Sequence, residues 1–431
     1  MSSYSGADEE YDFYEPPKLK LNLESLKDVA SKVLQAPCIS ARPMTRGSSH
    51  EIFILEFQES SDTSHRSLVR SGYSCIARFA RVRGTSAKEE SEIATIRYVK
   101  QHTSIPVPEV YYQDLDPDND IGAAFVLMEK LPGRHLYKIW DGLSLNHKKA
   151  ALSQIASIIV KFSSLRFNKI GCLTENGIGP IISPCHDSPQ GPFSSTLQYL
   201  ESFISPDSVK SSEAKDLFGQ IRTELAKGIS VQAAPYLEPP FSMIHADFDG
   251  QNMLFQDAPD GSGPKLTGLI DFEYAHTGPG YFLYEYPIFI QDVSWFSHLY
   301  TKNKALRAHF VSEVFHGLPS PREKATFISC INSKSFLLNG FRDAFMTLQC
   351  SERMRKNSAF YYLESLKDGT GLAYSGRVDY KPEYYSREGQ PMPQMDKIFE
   401  GPIGQPLDAG TSQISEPREV FEVCMRVGHG G

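Results

Sequence analysis

The chain has 431 residues, 40% of them hydrophobic and 22% charged, enough to bury more than one core and ordinary for a globular protein. Asp and Glu number 52 against 44 Lys and Arg, and the net charge of −8 argues against the basic stripe of a nucleic-acid binder. Seven cysteines without a C-x-x-C pair indicate neither a zinc site nor a disulfide framework, and read as free thiols in a reducing compartment.

Residues 1–17 are polar, aromatic and acidic and read as a loose, flexible arm, with no basic-then-apolar signal pattern. No apolar run reaches about eighteen residues, so no membrane partner is expected and the cytoplasm is the simplest location. Leu23, Leu26, Val29 and Val33 recur at helical spacing and predict an amphipathic helix over 22–35. A strand-rich block follows: 38–41, a small-residue turn over 45–50, then 52–57 and 74–79. Residues 86–102 predict a helix, with Ser86 as cap, Glu89 as the capping-box acid, and Ile93, Ile96 and Val99 as core stripe. Pro106 and Pro108 end it; 107–112 and 123–129 read as strands on either side of the polar turns at 114–120. Beyond 134 the pattern turns helical, with amphipathic stretches at 145–165 and 213–229 and a long Gly-, Pro- and Ser-rich loop at 171–195. Further helices are expected near 291–315, 321–348 and 350–367, and 370–431 reads as a disordered or draped tail.

The most informative stretch is 241–274. His245-Ala246-Asp247 is followed by four residues and Asn252, and an apolar strand at 266–270 then delivers Asp271. That spacing is the one used for phosphoryl transfer, in which one carboxylate accepts the proton of the attacking hydroxyl. An amide oxygen and a second carboxylate hold the Mg²⁺ that neutralises the triphosphate. The bland alternative is that both aspartates cap turns and Asn252 sits in an Asx-turn.

HADFDGQNMLF followed by GLIDFEYA resembles the aminoglycoside phosphotransferase and choline kinase-like family, especially its filamentous-fungal branch. The resemblance continues through TSIPVPEVY, FVLMEKLPG and LRFNKIGCL, and covers roughly residues 40–300. It implies an α+β, two-lobed, protein-kinase-like fold, with a small antiparallel-sheet N-lobe over 18–130 and a larger, mostly helical C-lobe over 131–369. It further implies transfer of the γ-phosphoryl group of ATP or GTP, with Mg²⁺, to a hydroxyl of a small-molecule acceptor. The fungal-like branch often accompanies secondary metabolism.

On that resemblance Asp247 is the catalytic base, and Asn252 and Asp271 are the metal ligands. Gly47, Ser48 and Ser49 form the turn that covers the phosphates with backbone N–H groups. Arg78 stands where a kinase strand carries lysine, with Arg81 and Arg83 close by; its planar fork cannot reproduce a lysine's geometry. Glu92 is the helix acid chosen to pair with it, with Glu89 and Glu90 as alternatives. Met128, Glu129 and Lys130 would offer backbone groups to the adenine. His245 reads as a brace for the loop, and Asp249 as a residue facing water. The short D-L-A-like stretch common in the family is absent, leaving only Glu285 and Asp292 in YFLYEYPIFIQD. With the Arg78 departure, this keeps open a second reading, a catalytically weak kinase-fold binding or regulatory module.

Overall fold

The computed structural model describes residues 18–367, except 48, 59–72, 83–85, 187, 233, 262, 291–296, 333–335 and 347–350. The arm at 1–17, the tail at 370–431 and Ser48 lie outside the described residues. The described chain forms two compact units, one of 18–86 with Val110–Lys130, the other of Ala87–Glu109 with 131–367.

The first unit contains α1 (Leu23–Leu34), β1 (Cys38–Arg46), β2 (His50–Phe57) and β3 (Ser74–Ala80). The chain then passes through α2 (Ser86–His102), which groups with the second unit, and returns as β4 (Val110–Asp114) and β5 (Phe125–Glu129). The five strands form one antiparallel sheet in the order β1-β2-β3-β5-β4. Side chains alternate across a strand. Phe53, Leu55 and Phe57, then Cys75, Ala77 and Phe79, then Phe125 and Leu127 therefore share one face, and Leu26, Ala30 and Leu34 of α1 pack on it. Asn22 caps α1 by accepting the Ser25 N–H at 3.2 Å. Alternation puts Ile76 and Arg78 on the opposite face.

β4 begins at Val110, three residues later than the sequence suggests. Pro108 has no N–H to give a ladder, and the Pro106 carbonyl is already taken by the Leu269 N–H at 2.8 Å.

In the second unit, β6 (Arg134–His135) leads into α3 (Leu136–Ile139) and α4 (Leu145–Ser164). The 171–195 loop contains a small hairpin of β7 (Leu173–Thr174) and β8 (Gly177–Ile178). After α5 (Thr196–Ser202) and α6 (Ser212–Gln232) come β9 (Ser242–Ile244), β10 (Met253–Asp257), β11 (Pro264–Leu269) and β12 (His276–Gly278). The chain continues as α7 (Gly280–Leu283), α8 (Ser297–Gly317), α9 (Pro321–Asn332), α10 (Phe336–Phe345) and α11 (Glu352–Lys367). Within the helix expected over 321–348, the described residues form α9 and α10 on either side of 333–335.

Ala151, Leu152, Ile155, Ile159 and Phe162 form the buried stripe of α4, which packs on α8, β9 and β11. β11, β10 and β6 form a three-stranded sheet in that order, and β12 pairs with β9. Gln154 of α4 lies along the outer edge of β11: its Nε2 donates to the Pro264 carbonyl and its Oε1 accepts the Leu266 N–H, both at 2.8 Å. No helix of the described residues is long and apolar enough to cross a membrane. One unit is thus an antiparallel-sheet lobe and the other a mostly helical lobe, an α+β architecture.

Candidate active site

The fully buried β9 delivers His245, which is 2% exposed. Its Nε2–H donates to the Ile270 carbonyl at 3.0 Å, and its ring lies 4.6 Å from that of Phe272. Burial lowers its pKa although the Asp247 and Asp271 carboxylates oppose that shift, so the ring is a neutral brace between two strand ends.

Ala246 then adopts φ +68°, and the chain reverses into a tight turn. The Asp249 N–H donates to the Asp247 carbonyl and the Asn252 N–H to the Asp249 carbonyl, each at 3.0 Å. Gly250 lets the turn approach Tyr137 closely, since a Cβ there would come 3.2 Å from the Tyr137 nitrogen and push it aside. Tyr137 N–H itself donates to the Gly250 carbonyl at 3.2 Å, and His135 Nδ1–H to that of Gln251.

The Asp247 side chain is exposed, and two amides hold it. Asn252 Nδ2 donates to Asp247 Oδ2 at 2.8 Å and to the Asp247 carbonyl at 3.0 Å; Gln251 Nε2 donates to the same Oδ2 at 3.1 Å. Both side-chain bonds fall on one oxygen, leaving Oδ1 to face an incoming group. Asn252, 5% exposed, has its nitrogen committed to Asp247, so Oδ1 is its remaining ligand atom. The Asn252 carbonyl accepts the Ile270 N–H at 3.0 Å, which ties the turn to the residue before Asp271.

Asp271 leaves β11 with φ +67°. The next N–H, of Phe272, donates to Glu92 Oε1 at 3.2 Å. Lys88 Nζ bonds Glu273 Oε2 at 2.8 Å and lies 5.5 Å from the centre of the Tyr274 ring. Burial works against the Lys88 charge, but the Glu273 carboxylate outweighs it and holds the ammonium above the ordinary lysine range. An amide oxygen and a carboxylate, brought together by the Asn252–Ile270 bond, are the oxygen donors that suit a hard divalent cation.

The remaining candidates lie in the sheet unit. Gly47 N–H donates to the His50 carbonyl at 2.9 Å, and the Ser49 carbonyl accepts the Arg81 N–H at 2.9 Å. Arg81 Nη1 also donates to the Gly47 carbonyl. Arg78, 8% exposed, donates through Nη2 to His50 Nδ1 at 3.0 Å. Met128 and Glu129 end β5 opposite Ile76 and Cys75, and Lys130 follows, half-buried. The structure thus gathers Asp247, Asn252 and Asp271 within one unit together with Glu92, and gathers Gly47, Ser49, Arg78 and Met128–Lys130 within the other.

Sequence reasoning missed Gln251, Lys88, the pairing of Glu273 with Lys88, and the buried Glu51, which accepts the Leu19 N–H at 3.0 Å. Only the i, i+4 spacing of Lys88 and Glu92 offered a signal. Glu285, one of the two acids left where the D-L-A-like stretch is absent, receives Arg342 of α10; Asp292, the other, lies outside the described residues.

The family model described as the phosphotransferase enzyme family matches residues 55–284, more than half of the chain. The chain belongs to the phosphotransferase enzyme family. The region this family claims contains Asp247, Asn252 and Asp271 and begins after the 47–49 turn. A subtelomeric hrmA-associated cluster protein of Aspergillus fumigatus is 28% identical, over 26% of this chain and 28% of its own length. Altered inheritance of mitochondria protein 9 of Meyerozyma guilliermondii is 34% identical, over 20% of this chain and 15% of its own. The phosphotransferase chain therefore spans less than a third of the length of these curated relatives. Among solved structures, ADP-bound aminoglycoside phosphotransferase APH(2″)-Ib aligns at 12% identity and TM-score 0.46, covering 79% of this chain and 97% of that one.

Proposed function

We propose that this phosphotransferase moves the γ-phosphoryl group of ATP or GTP to a hydroxyl of a small molecule, with a natural-product hydroxyl as the acceptor class and the cytosol as the setting. The observation that carries the reading is the pair of amide bonds on a single oxygen of Asp247, which leaves Oδ1 of an exposed carboxylate oriented and open. In the transfer, the acceptor oxygen bonds to the γ-phosphorus as the bond to the β–γ bridging oxygen breaks. The hydroxyl proton passes to Asp247 Oδ1, and the nucleoside diphosphate leaves. Phosphoryl transfer is loose enough that orienting the hydroxyl matters as much as removing its proton. Asn252 Oδ1 and Asp271 would hold Mg²⁺, which supplies charge neutralisation on the triphosphate when bound.

A second reading, a kinase-fold binding module, draws support from Arg78, whose guanidinium bonds His50 where a kinase presents lysine. Thermal unfolding with ATP or GTP, with and without Mg²⁺, beside Asp271→Ala, tests the metal–nucleotide site. A ligand at a hundred times its dissociation constant adds about 2.7 kcal/mol of stability. A Mg²⁺-dependent shift that vanishes in Asp271→Ala supports that site, and turnover on hydroxylated metabolites then separates the enzyme from the module. No shift with either nucleotide, in a folded protein, rejects the phosphotransferase reading.

A further inference from the structure

Lys88 and Glu92 stand one turn apart on α2, and both are buried, at 8% and 2% exposure. Two charged side chains on one buried helical face are costly unless each meets a partner. Partners for both lie in the three residues that follow Asp271. Glu92 accepts the Phe272 N–H, Lys88 pairs with Glu273 at 2.8 Å, and the Lys88 ammonium sits over Tyr274. The Lys88 and Glu273 side chains are only 10% and 17% exposed, so solvent screens their attraction poorly.

The position of this grip is its significance. Asp271 has φ +67°, a conformation that a non-glycine residue keeps when its surroundings impose it. From the preceding side, Ile270 is held through both its N–H and its carbonyl, by Asn252 and His245. From the following side, α2 holds the next residues. Groups that orient a metal ligand without touching the metal matter nearly as much as the ligand.

We propose that Lys88 and Glu273 are positioning residues for the phosphotransfer site: their partly buried ion pair fixes the backbone that aims the Asp271 carboxylate at the divalent cation. The inference rests on the phosphotransferase reading and adds to it a device on α2. It also explains why Glu273 follows the Asp-Phe pair where a protein kinase has glycine: a side chain anchored on α2 opposes a flip of the segment.

The test measures the Mg²⁺ concentration giving half of the ATP-dependent rise in melting temperature, in wild type, Glu273→Gln, Lys88→Met and the double variant. Both single variants should need about 10–100-fold more Mg²⁺. The double variant should need no more than the worse single one, because the two side chains act as one unit. A purely structural pair would lower the ligand-free melting temperature and leave the Mg²⁺ midpoint where it is in wild type. Folded variants with a wild-type midpoint would therefore overturn the proposal while the phosphotransferase reading stands. Should Lys88→Met not fold, the near-isosteric Glu273→Gln decides alone. A wild-type protein without any Mg²⁺-dependent shift overturns the site and the positioning role together.

Discussion

The turn at 246–252 and the five-stranded sheet hold their polar groups in opposite ways. In the turn, partners are close in sequence: Gln251 and Asn252 reach Asp247 across four and five residues. In the sheet, Arg78 meets His50 across 28 residues, Arg81 meets Gly47 across 34, and Leu19 meets Glu51 across 32. A site made from local spacing is a motif and can be read directly. One made by strand register exists only after the register is known, since a slip of one residue would turn Arg78 to the α1 face.

The largest expected effect breaks the turn's side of this contrast. Asp247→Ala should lower turnover on a verified acceptor by about 10²–10⁴-fold while nucleotide binding persists. Asp271→Ala should instead remove the Mg²⁺-dependent part of nucleotide binding, read by calorimetry. Near-normal turnover in Asp247→Ala would falsify the base assignment.

Asn252→Ala comes next. It removes both bonds to Asp247 from a buried position, so it should cost on the order of 1–3 kcal/mol in denaturant unfolding as well as turnover. Loss of turnover with unchanged stability would mean that Asn252 serves only as a ligand.

The sheet's side is sharpened by Arg78→Met and Arg78→Lys. If Arg78 meets phosphate, Arg78→Met should raise the KM for nucleotide by about tenfold or more, as expected for a lost bond to a charged group. Arg78→Lys should fall between, keeping the charge and losing the fork. Equal KM values in all three proteins would confine Arg78 to the sheet.

The smallest effect concerns pH. His276 donates Nδ1–H to the Tyr274 carbonyl at 3.0 Å and accepts the Tyr199 hydroxyl on Nε2 at 3.1 Å, and burial lowers its pKa. With the folded pKa depressed, the unfolded chain binds the proton first as pH falls. Melting temperature should therefore begin to decline near the unfolded value of about 6.5 and level off below the folded one. His276→Gln should flatten part of that decline; an equally steep one would trace it to other groups, such as His245.

Much of this architecture is legible in the sequence, for identifiable reasons. The helix at 86–102 is visible because Ile93, Ile96 and Val99 keep helical period, and all three are buried. Strands β2, β3 and β5 are visible because short apolar runs end in turn-forming residues. The Asp247, Asn252 and Asp271 triplet is visible because its spacing is fixed by one turn and one strand. Less legible is the role of Lys88, since a lysine near a helix start reads as solvated until the 272–274 segment is folded against it. The late start of β4 escaped because it depends on Leu269, more than a hundred residues away, claiming the Pro106 carbonyl.

Gln154 carries a consequence of a different kind. β11 is a terminal strand, and such strands recruit the edges of other molecules when their backbone groups are bare. The Gln154 amide imitates a peptide unit, occupying the Pro264 carbonyl and the Leu266 N–H, and the Pro106 carbonyl occupies the Leu269 N–H farther along. The polar side chain beside the buried stripe of α4 thereby acts as a guard against self-association. Gln154→Leu, which adds an apolar side chain beside that stripe and bares the strand edge, should make concentrated protein scatter light on warming.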